Sequence, residues 1–237
     1  MTEPLFRDAP YLRETPARVV ASSPEGIMLD RTVFYPIGGG QPGDCGTILW
    51  DGGETAVATT HKGEDGAILH VPAEGAALPP EGAEVTARLD WETRHRHMRV
   101  HTALHLLSVA IPLPVTGGQI GAEKGRLDFD MPEAPEDKEA LEARLNALVE
   151  ADHPVSAEWI TDAELEARPE MVKTMAVKPP MGQGHVRLVR IGAGEDTVDL
   201  QPCGGTHVAS TSEIGRLRLG KIEKKGKQNR RVSVHLA

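Results

Sequence analysis

Two short histidine-bearing motifs constrain the fold of this chain more than any other feature. The first is HTALH, from His101 to His105, and the second is CGGTH, from Cys203 to His207. Together they provide three imidazoles and one thiol, which is a complete tetrahedral set for zinc. A shared metal ion requires both motifs to meet, so the fold has to bring two distant segments of the chain to one point.

The first motif fits one face of a helix. Residues four positions apart lie on the same helical face, so His101 and His105 can converge on one ion. His97 lies one turn earlier and is an alternative ligand on that face. A His-x3-His pair alone is also typical of surface or partly buried histidines. Thr102 follows His101, so the glutamate that acts as base in HExxH metalloproteases is missing.

The second motif is the stronger indicator of a metal. Gly204 and Gly205 lie between Cys203 and His207, and glycine allows a turn tight enough to point both side chains to one place. The alternative is a glycine turn that carries a buried cysteine. With both motifs present, we expect one zinc ion per chain. Four protein ligands are typical of structural zinc, whereas catalytic sites keep a position open, so the role of the metal stays undecided.

Composition predicts a soluble protein in a reducing compartment. Of the 237 residues 39% are hydrophobic, and the two cysteines, Cys45 and Cys203, are not spaced as a CxxC pair. This pattern does not fit a disulfide framework. The N-terminus carries acidic residues and proline without an apolar signal region, and no apolar run approaches the length of a membrane span. We therefore expect a cytoplasmic location and no contact with a membrane.

The charge distribution favours a local nucleic-acid surface. The net charge of −9 argues against a general binder of polyanions. Basic residues nevertheless concentrate just before His101 and near the C-terminus, as in proteins that contact nucleic acid at one place. The alternative is a solvated, charged pair of strands. The candidate residues for contact with nucleic acid are Arg94, Arg96, Arg99, Arg216, Arg218, Lys221, Lys224, Lys225, Lys227, Arg230 and Arg231.

The order of strand and helix patterns predicts an α+β fold. Short apolar runs separated by turn residues continue up to about Asp90 and are typical of a small β-barrel or sandwich. Helical patterns and further strands follow without regular alternation. We predict two domains, a β-rich domain over residues 1–90 and an α+β domain over residues 91–237 that holds both metal motifs.

Three helices are predicted after residue 90. Asp90 is a candidate N-cap for a helix over residues 91–110, which contains no glycine or proline. A second helix is predicted over residues 136–150 from one apolar stripe. Thr161 and Glu164 have the spacing of a capping box, which predicts a third, short helix.

A glycine-rich loop near the N-terminus is the third informative motif, FYPIGGGQPGD from Phe34 to Asp44. It lacks the Gly-Lys-Ser/Thr of a Walker A loop and is not a GxGxxG that opens a helix. Its consecutive glycines, Gly38, Gly39 and Gly40, allow unusual backbone angles and the close approach of a ligand or another segment. The stretch fits a tight loop between barrel strands as well as it fits a substrate-contacting loop.

Taken together, the motifs resemble one known family. The HTALHLL segment from His101, the DLQPCGGTHV segment from Asp199 and the loop from Phe34 are similar to motifs of the alanyl-tRNA synthetase editing domains, in the same order. The resemblance extends to the QIG segment from Gln119 and the LDFD segment from Leu127. It is strongest to the AlaX group of alanyl-tRNA editing proteins in its medium-length form.

The resemblance implies a barrel-like N-terminal domain, an editing domain of the threonyl/alanyl-tRNA synthetase type, and a hydrolase that acts in trans. The enzyme would cleave the ester of Ser-tRNA(Ala), with Gly-tRNA(Ala) as a second substrate. It would recognise the acceptor stem of mischarged alanine tRNA and need no protein partner. By resemblance the zinc ligands are His101, His105, Cys203 and His207, the loop at the active site is Gly38–Gly40, and the candidate pocket residues are Thr32 and Gln119.

Two other functions stay open on the sequence. One is a non-catalytic tRNA-binding module with a structural zinc. The other is an editor of a different tRNA such as Ser-tRNA(Thr), because threonyl-tRNA synthetases carry a related domain. The sequence also leaves open whether zinc would activate water or hold the amino or hydroxyl group of the substrate. It identifies no general base.

Overall fold

The computed structural model describes residues 1–135, 137–174 and 184–237. The chain divides into two units, Met1–His95 and Arg96–Ala237, and the division falls inside the first helix. The elements include a closed barrel, two further sheets and a short parallel strand pair, with few helices. This confirms the predicted α+β class with a β-barrel near the N-terminus.

The first unit is built from strands. They are β1 (Glu3–Pro4), β2 (Glu14–Ser23), β3 (Gly26–Leu29), β4 (Arg31–Thr32), β5 (Gly46–Trp50), β6 (Gly53–Lys62), β7 (Ile68–Pro72) and β8 (Glu84–Leu89). Six of them form a closed barrel in the order β2-β3-β7-β6-β5-β8, and the pairing of β8 with β2 closes it. The two remaining strands, β1 and β4, pair in parallel.

Alternating side chains fill the interior of the barrel. In β2, Thr15, Ala17 and Val19 are buried while their neighbours are exposed, which is the period of a strand with one face in a core. Large aliphatic side chains such as Ile27 and Ile48 are completely buried beside them. The barrel is therefore a packed core, as expected for a barrel of this strand number.

The second unit contains two sheets and the helices that cover them. Its elements, with the first helix starting in the first unit, are α1 (Trp91–Ala110), β9 (Val115–Ile120), β10 (Lys124–Asp130), α2 (Lys138–Glu150), β11 (Val155–Thr161), α3 (Asp162–Glu166), β12 (His185–Ile191), β13 (Asp199–Pro202), β14 (Leu217–Leu219), β15 (Glu223–Lys225) and β16 (Asn229–Leu236). One sheet has the order β14-β16-β10-β9, with β15 also paired to β16. The other has the order β11-β12-β13.

Helix α1 begins where the sequence predicts and packs closely on the larger sheet. A side-chain oxygen of Asp90 accepts a hydrogen bond from the Thr93 amide at 3.2 Å, so Asp90 caps the helix. On the sheet side, Gly125 of β10 lies under Val100 and Leu104, and a Cβ at Gly125 would be 2.6 Å and 3.0 Å from their side chains. The absence of a side chain at Gly125 thus allows α1 to approach the sheet.

Helices α2 and α3 both start at side-chain caps. Asp137 accepts a hydrogen bond from the Ala140 amide at 2.8 Å, and α2 therefore begins at Lys138. The predicted start of this helix at residue 136 lies outside the described residues. At α3 the capping box predicted from Thr161 and Glu164 is confirmed, because each side chain accepts from the other residue's backbone amide.

Side chains of α2 bind the outer edge of β14. The Asn146 amide donates to the Leu217 carbonyl at 2.9 Å, and its oxygen accepts from the Leu217 amide at 2.9 Å. A carboxylate oxygen of Glu142 accepts from the Leu219 amide at 2.7 Å. Backbone groups that would otherwise lack partners at this sheet edge are therefore hydrogen-bonded within the chain.

Candidate metal centre

Both histidine-bearing motifs meet in the second unit. Ligand atoms of His101, His105, Cys203 and His207 all lie within 4.8 Å of one another. The Cys203 Sγ atom is 3.5 Å from His101 Nε2 and 3.3 Å from His207 Nε2. Tetrahedral zinc with bonds of about 2.0–2.3 Å places its ligand atoms about 3.3–3.8 Å apart. These four residues could therefore hold one metal ion, and their nitrogen and sulfur donors fit zinc.

Helix α1 supplies two of these residues. His101 and His105 are each 7% exposed and lie one turn apart, with their ring centroids 5.3 Å from each other. The His207 ring lies 4.1 Å from that of His101 and 4.6 Å from that of His105. His97, the alternative ligand on this face, is buried but is not one of the four converging residues.

Arg187 of β12 shapes the loop that carries Cys203. Its carbonyl accepts from the Cys203 amide at 3.0 Å, and its guanidinium donates to the carbonyls of Cys203 at 2.9 Å and Gly205 at 3.0 Å. Neither Gly204 nor Gly205 adopts a positive φ, and Gly204 has open space where a Cβ would lie. The turn is thus held by Arg187, a residue that the spacing of the motif did not indicate.

A second layer of polar residues contacts the histidines. The Asp199 carboxylate lies 2.9 Å from His105 Nδ1 and 2.5 Å from the Lys173 ammonium. The hydroxyl of Thr102 lies 3.1 Å from His207 Nδ1. Both contacts are buried, and at His207 the contact uses Nδ1 while Nε2 faces Cys203. Neither Asp199 nor Thr102 was predicted as a functional residue, because hydrogen-bond acceptors have no characteristic spacing.

The neighbours of Cys203 and His207 favour the metal-binding protonation state of each. Burial alone would raise the pKa of the Cys203 thiol, but its interactions with His101 and His207 bring that pKa well below the ordinary value. Burial, together with the neighbouring His101, lowers the pKa of His207 well below its ordinary value. A thiolate and a neutral imidazole are the forms that bind metal ions.

His105 and Asp199 behave as a coupled pair. Burial alone would lower the pKa of His105, but hydrogen bonds with Asp199 and Cys203 raise it to about 9. Burial would raise the pKa of Asp199, but the hydrogen bond and the charge of His105, together with Lys173, lower it to about 2. A metal ion that binds at His105 Nε2 therefore displaces a proton, which makes binding weaker at lower pH.

Arg94 does not belong to the basic surface that the charge pattern predicted. Its side chain has no exposed surface and forms a buried ion pair with Asp44 in the first unit, with Nε 2.9 Å from one carboxylate oxygen. A second nitrogen donates to the Val33 carbonyl at 2.7 Å. An arginine that is committed to the core in this way is unsuitable for contact with phosphate.

The other predicted basic residues differ in exposure and in whether their side chains already form hydrogen bonds or ion pairs within the chain. Arg99 donates to the Ile214 carbonyl, and Arg231 forms a two-fold contact with Asp128. Lys225 pairs with Glu223 at 2.9 Å, and Arg230 donates to the Pro132 carbonyl. Arg96 lies 3.4 Å from Glu123. The exposed members of the predicted set are Arg96, Arg216, Arg218, Lys221, Lys224, Lys225 and Lys227.

The N-terminal candidates lie in the first unit. Thr32 is completely buried, and its hydroxyl lies 2.7 Å from His70 Nε2 and accepts from the Phe34 amide at 3.0 Å. In the loop, Gly39 and Gly40 have φ of 58° and 80°, which are left-handed angles that favour glycine. The proposed contacts of Thr32 and of Gly38–Gly40 with a substrate stay predictions.

Gln119, the other pocket candidate, lies on β9 of the second unit. It is exposed, and its side-chain oxygen accepts from Arg126 at 3.3 Å. Its role towards a substrate also stays a prediction. No helix among the described residues combines the length and the apolarity that crossing a bilayer requires.

Two family models match parts of the sequence. The family described as "Threonyl and Alanyl tRNA synthetase second additional domain" matches residues 186–233, which include Cys203 and His207. The family described as "tRNA synthetases class II (A)" matches residues 9–93. The two matches together cover the barrel and the segment that carries the second metal motif.

Curated relatives resemble the chain over nearly its whole length. An alanyl-tRNA editing protein AlaX-M from Methanosarcina acetivorans is 37% identical over 98% of each chain. An AlaX-L protein from Pyrococcus horikoshii is 34% identical over 98% of this chain and 57% of the relative. An alanine–tRNA ligase from Pyrobaculum arsenaticum is 36% identical over 94% of this chain but only 25% of the relative.

Proposed function

Because the chain belongs to the family of AlaX-type alanyl-tRNA editing proteins, we propose that it removes wrong amino acids from alanine tRNA in trans. The reaction is hydrolysis of the aminoacyl ester. The substrate is Ser-tRNA(Ala), with Gly-tRNA(Ala) as a second substrate. The observation that carries the proposal is the convergence of four side chains, His101, His105, Cys203 and His207, in a chain of this family.

We propose zinc as the cofactor, with one ion per chain. The thiolate of Cys203 and the three imidazoles fit the ligand preference of zinc better than that of oxygen-seeking cations. When bound there, zinc supplies Lewis acidity, which can polarise an ester carbonyl or orient an amino or hydroxyl group. Contacts with Arg187, Asp199 and Thr102 support the positions of Cys203, His105 and His207.

Selectivity for serine over alanine follows from ordinary polar recognition. A buried polar group that hydrogen-bonds the seryl hydroxyl would lose its partner when alanine is bound instead. Leaving such a group unpaired costs about 1–3 kcal/mol, and a site built around the hydroxyl can discriminate much further. Correctly charged Ala-tRNA(Ala) should therefore be a poor substrate.

The acceptor stem of tRNA needs a basic surface, and several candidates are exposed. After Arg94 is withdrawn, the proposed set consists of Arg96, Arg99, Arg216, Arg218, Lys221, Lys224, Lys225, Lys227, Arg230 and Arg231. Such residues contact the phosphate backbone and position the ligand without reading its sequence. Lys224 lies in β15 and Lys227 in the turn that joins β15 to β16, and both are exposed.

A deacylation assay tests the proposal. The purified, zinc-loaded chain is incubated with Ser-tRNA(Ala), Gly-tRNA(Ala) and Ala-tRNA(Ala), and loss of the amino acid is compared with the buffer rate. We expect rapid loss of serine, little loss of alanine, and no loss above the buffer rate once a chelator has removed the metal. Because no other protein is added, the assay also tests the prediction that no partner is required.

Two further arms separate the alternatives. Ser-tRNA(Thr) is included because the matching family model also names threonyl-tRNA synthetase. Preferential loss of serine from that tRNA would replace the alanine assignment. Binding of alanine tRNA without any deacylation would instead favour a non-catalytic module with a structural zinc.

The ligand assignment is tested by two cysteine variants. Cys203→Ala should lower bound zinc and serine release together, because it removes the thiolate from the ligand set. Cys45→Ala is the matched control, since Cys45 is partly buried in the first unit and lies 3.9 Å from Asp90. Equal zinc content in the two variants, measured by metal analysis, would contradict the assignment.

A further inference from the structure

At two of the cluster histidines, the ring nitrogen that faces away from the metal cluster has a hydrogen-bond partner. A neutral histidine binds a metal through the nitrogen that carries no hydrogen, and a hydrogen-bond acceptor at the other nitrogen fixes which one that is. At His105 the partner is Asp199, and at His207 it is Thr102. Each partner fixes the tautomer if it accepts a hydrogen bond from the ring and cannot donate one to it.

At His105 the hydrogen-bond partner is a carboxylate. An ionised carboxylate accepts hydrogen bonds and cannot donate them. Since Asp199 Oδ2 lies 2.9 Å from His105 Nδ1, the hydrogen of the neutral ring sits on Nδ1. The Gln201 amide nitrogen lies 3.1 Å from the same Nδ1, but it donates to Asp199 Oδ2 over the shorter distance of 2.7 Å. The lone pair is then on Nε2, the nitrogen available to the metal cluster.

Two further side chains hold the Asp199 carboxylate in place. The Lys173 ammonium lies 2.5 Å from Oδ1, and the Gln201 amide nitrogen donates to Oδ2 at 2.7 Å. Asp199 is 3% exposed. Both carboxylate oxygens are therefore engaged, and the carboxylate cannot rotate without breaking a charged hydrogen bond.

At His207 the hydroxyl of Thr102 has only one hydrogen to give. It donates that hydrogen to the Met98 carbonyl at 3.0 Å, one turn earlier in α1. The same oxygen is therefore left to accept from His207 Nδ1 at 3.1 Å, and it also accepts from the Val208 amide at 3.3 Å. The hydrogen of His207 again sits on Nδ1, and Nε2 faces Cys203.

We propose that Asp199 and Thr102 are positioning residues that fix the tautomers of His105 and His207 and thereby set the affinity of the metal centre. Lys173 and Gln201 assist by holding Asp199. The inference rests on the zinc site proposed above, but not on the identity of the substrate. It assigns a function to Thr102, the residue that takes the place of the catalytic glutamate of HExxH motifs.

The Zn²⁺ affinity of the full chain tests the proposed role of Asp199. Asn at position 199 has one acceptor oxygen and cannot serve His105 and Lys173 together. Asp199→Asn should therefore weaken Zn²⁺ binding about 10–100-fold, the usual effect of losing such an outer partner, as measured by competition with a chromophoric chelator. Asp196→Asn is the matched control, because Asp196 is exposed three residues earlier, and it should bind Zn²⁺ like wild type.

Thr102 is tested by a pair of variants. Thr102→Val removes the acceptor for His207 Nδ1 and should weaken Zn²⁺ binding, whereas Thr102→Ser keeps a hydroxyl and should restore it. Thermal unfolding of each metal-free protein reports separately on general stability. Wild-type affinity in both Asp199→Asn and Thr102→Val would overturn the proposal.

Histidine tautomers give a readout that a purely structural role would not move. In ¹H–¹⁵N spectra of the zinc-loaded protein, wild type should carry hydrogen on Nδ1 of both rings. Zinc bound at Nε2 keeps a hydrogen on Nδ1 in every variant, so the readout is the resonance of each Nδ1–H group. Asp199→Asn should shift only the His105 resonance, and Thr102→Val only the His207 resonance; unchanged resonances in both variants contradict the proposal.

If Asp199→Asn does not fold, Lys173→Met takes its place, since Lys173 is partly exposed and should cause a smaller loss of affinity. Unchanged affinity in that variant would also count against the Asp199 arm. If wild type itself binds no Zn²⁺, the proposed metal site fails, which is a different result from equal binding in all variants.

Discussion

His70 and His105 are both buried, yet their pKa values shift in opposite directions. At His70, burial is the larger cause and lowers the pKa to about 4, although the hydrogen bond to the Ile27 carbonyl at 2.9 Å opposes it. At His105 burial acts in the same direction, but the hydrogen bonds and charges of Asp199 and Cys203 together outweigh it and raise the pKa to about 9. The charged neighbours thus decide whether a buried histidine stays neutral or holds its proton.

The low pKa of His70 predicts a loss of stability in mild acid. Below pH 6.5 the unfolded chain binds a proton that the folded barrel does not accept until about pH 4. The stability that neutral His70 provides is therefore complete above pH 6.5 and is lost as the pH falls to 4, by about 3 kcal/mol in total.

Urea unfolding of the metal-free full chain at several pH values measures this effect. The difference in unfolding free energy between wild type and His70→Gln should shrink as the pH falls through this window, because glutamine has no charge to gain. His61→Gln is the control, since His61 is exposed in the same unit. A difference that does not depend on pH would show that His70 is not the responsible group.

At the residue scale, the sequence predicted the four side chains of the metal cluster better than it predicted which residues contact them or which charges are buried. The spacing in the two motifs predicted all four residues of the cluster, because a helix and a short loop leave few other arrangements. Thr102 served only to exclude an HExxH motif, and its contact with His207 was not predicted. Arg94 was wrongly included in the basic surface, because a charge pattern does not reveal that this arginine forms a buried ion pair with Asp44.

At the scale of elements, the contact between α1 and β10 links core packing to the metal centre. Val100 and Leu104, which lie above Gly125, are the chain neighbours of His101 and His105. Any side chain added at Gly125 would push on the part of α1 that presents both histidines. The packing of this strand should therefore influence metal affinity without touching a ligand.

Gly125→Ala tests this link. The added Cβ would lie 2.6 Å from a Val100 methyl group, and overpacking of this kind costs about 1–3 kcal/mol. We expect lower unfolding free energy and weaker Zn²⁺ binding together. Gly117→Ala in the adjacent strand is the control, because its nearest neighbour would be 3.6 Å away. Equal Zn²⁺ affinity in the two variants would contradict the link.

Elements with clear caps and apolar periods were predictable, and others were not. Helix α1 begins after Asp90 and ends at Ala110, as the sequence indicated. Strand β6 was not predicted, because buried threonines take inward positions that are usually apolar. Thr55 donates to the Ala77 carbonyl and Thr60 to the Asp44 carbonyl, so these hydroxyls are satisfied inside the barrel. Such polar partners are invisible to a hydrophobic pattern.

At the scale of the whole molecule, the proposed substrate is a polyanion although the protein is acidic. The net charge of −9 opposes association with tRNA at long range, so the proposed binding would depend on the local basic surface. Each phosphate that a cation neutralises contributes about 0.7–0.9 to the slope of log affinity against log salt concentration. The number of participating cations can therefore be counted by titration.

Charge reversal on the β15–β16 hairpin tests which cations participate. Lys224→Glu with Lys227→Glu should weaken binding of alanine tRNA and lower the salt slope by about 1–2. Lys225 is left unchanged because it already pairs with Glu223. Lys138→Glu with Arg168→Glu is the control, with the same change in net charge at exposed basic residues elsewhere. Equal slopes for both double variants would remove the hairpin from the proposed tRNA surface.

The arrangement of the sheets was beyond prediction from sequence. Strand β16 at the C-terminus pairs with β10 and with β14, so strands about one hundred residues apart in the sequence, Lys124–Asp130 and Asn229–Leu236, share one sheet. Local patterns indicate that a strand exists but not which distant strand it joins. Only the demand that two ligand motifs meet constrained the long-range fold, and that constraint came from metal chemistry.

The hold of α2 on β14 has a consequence for molecules at high concentration. Exposed strand edges are templates on which another copy of a chain can add, which is a common route to aggregation. At this edge the amides of Leu217 and Leu219 and the carbonyl of Leu217 are already bound by Asn146 and Glu142. A neighbouring molecule would have to displace α2 before it could extend the sheet at these residues.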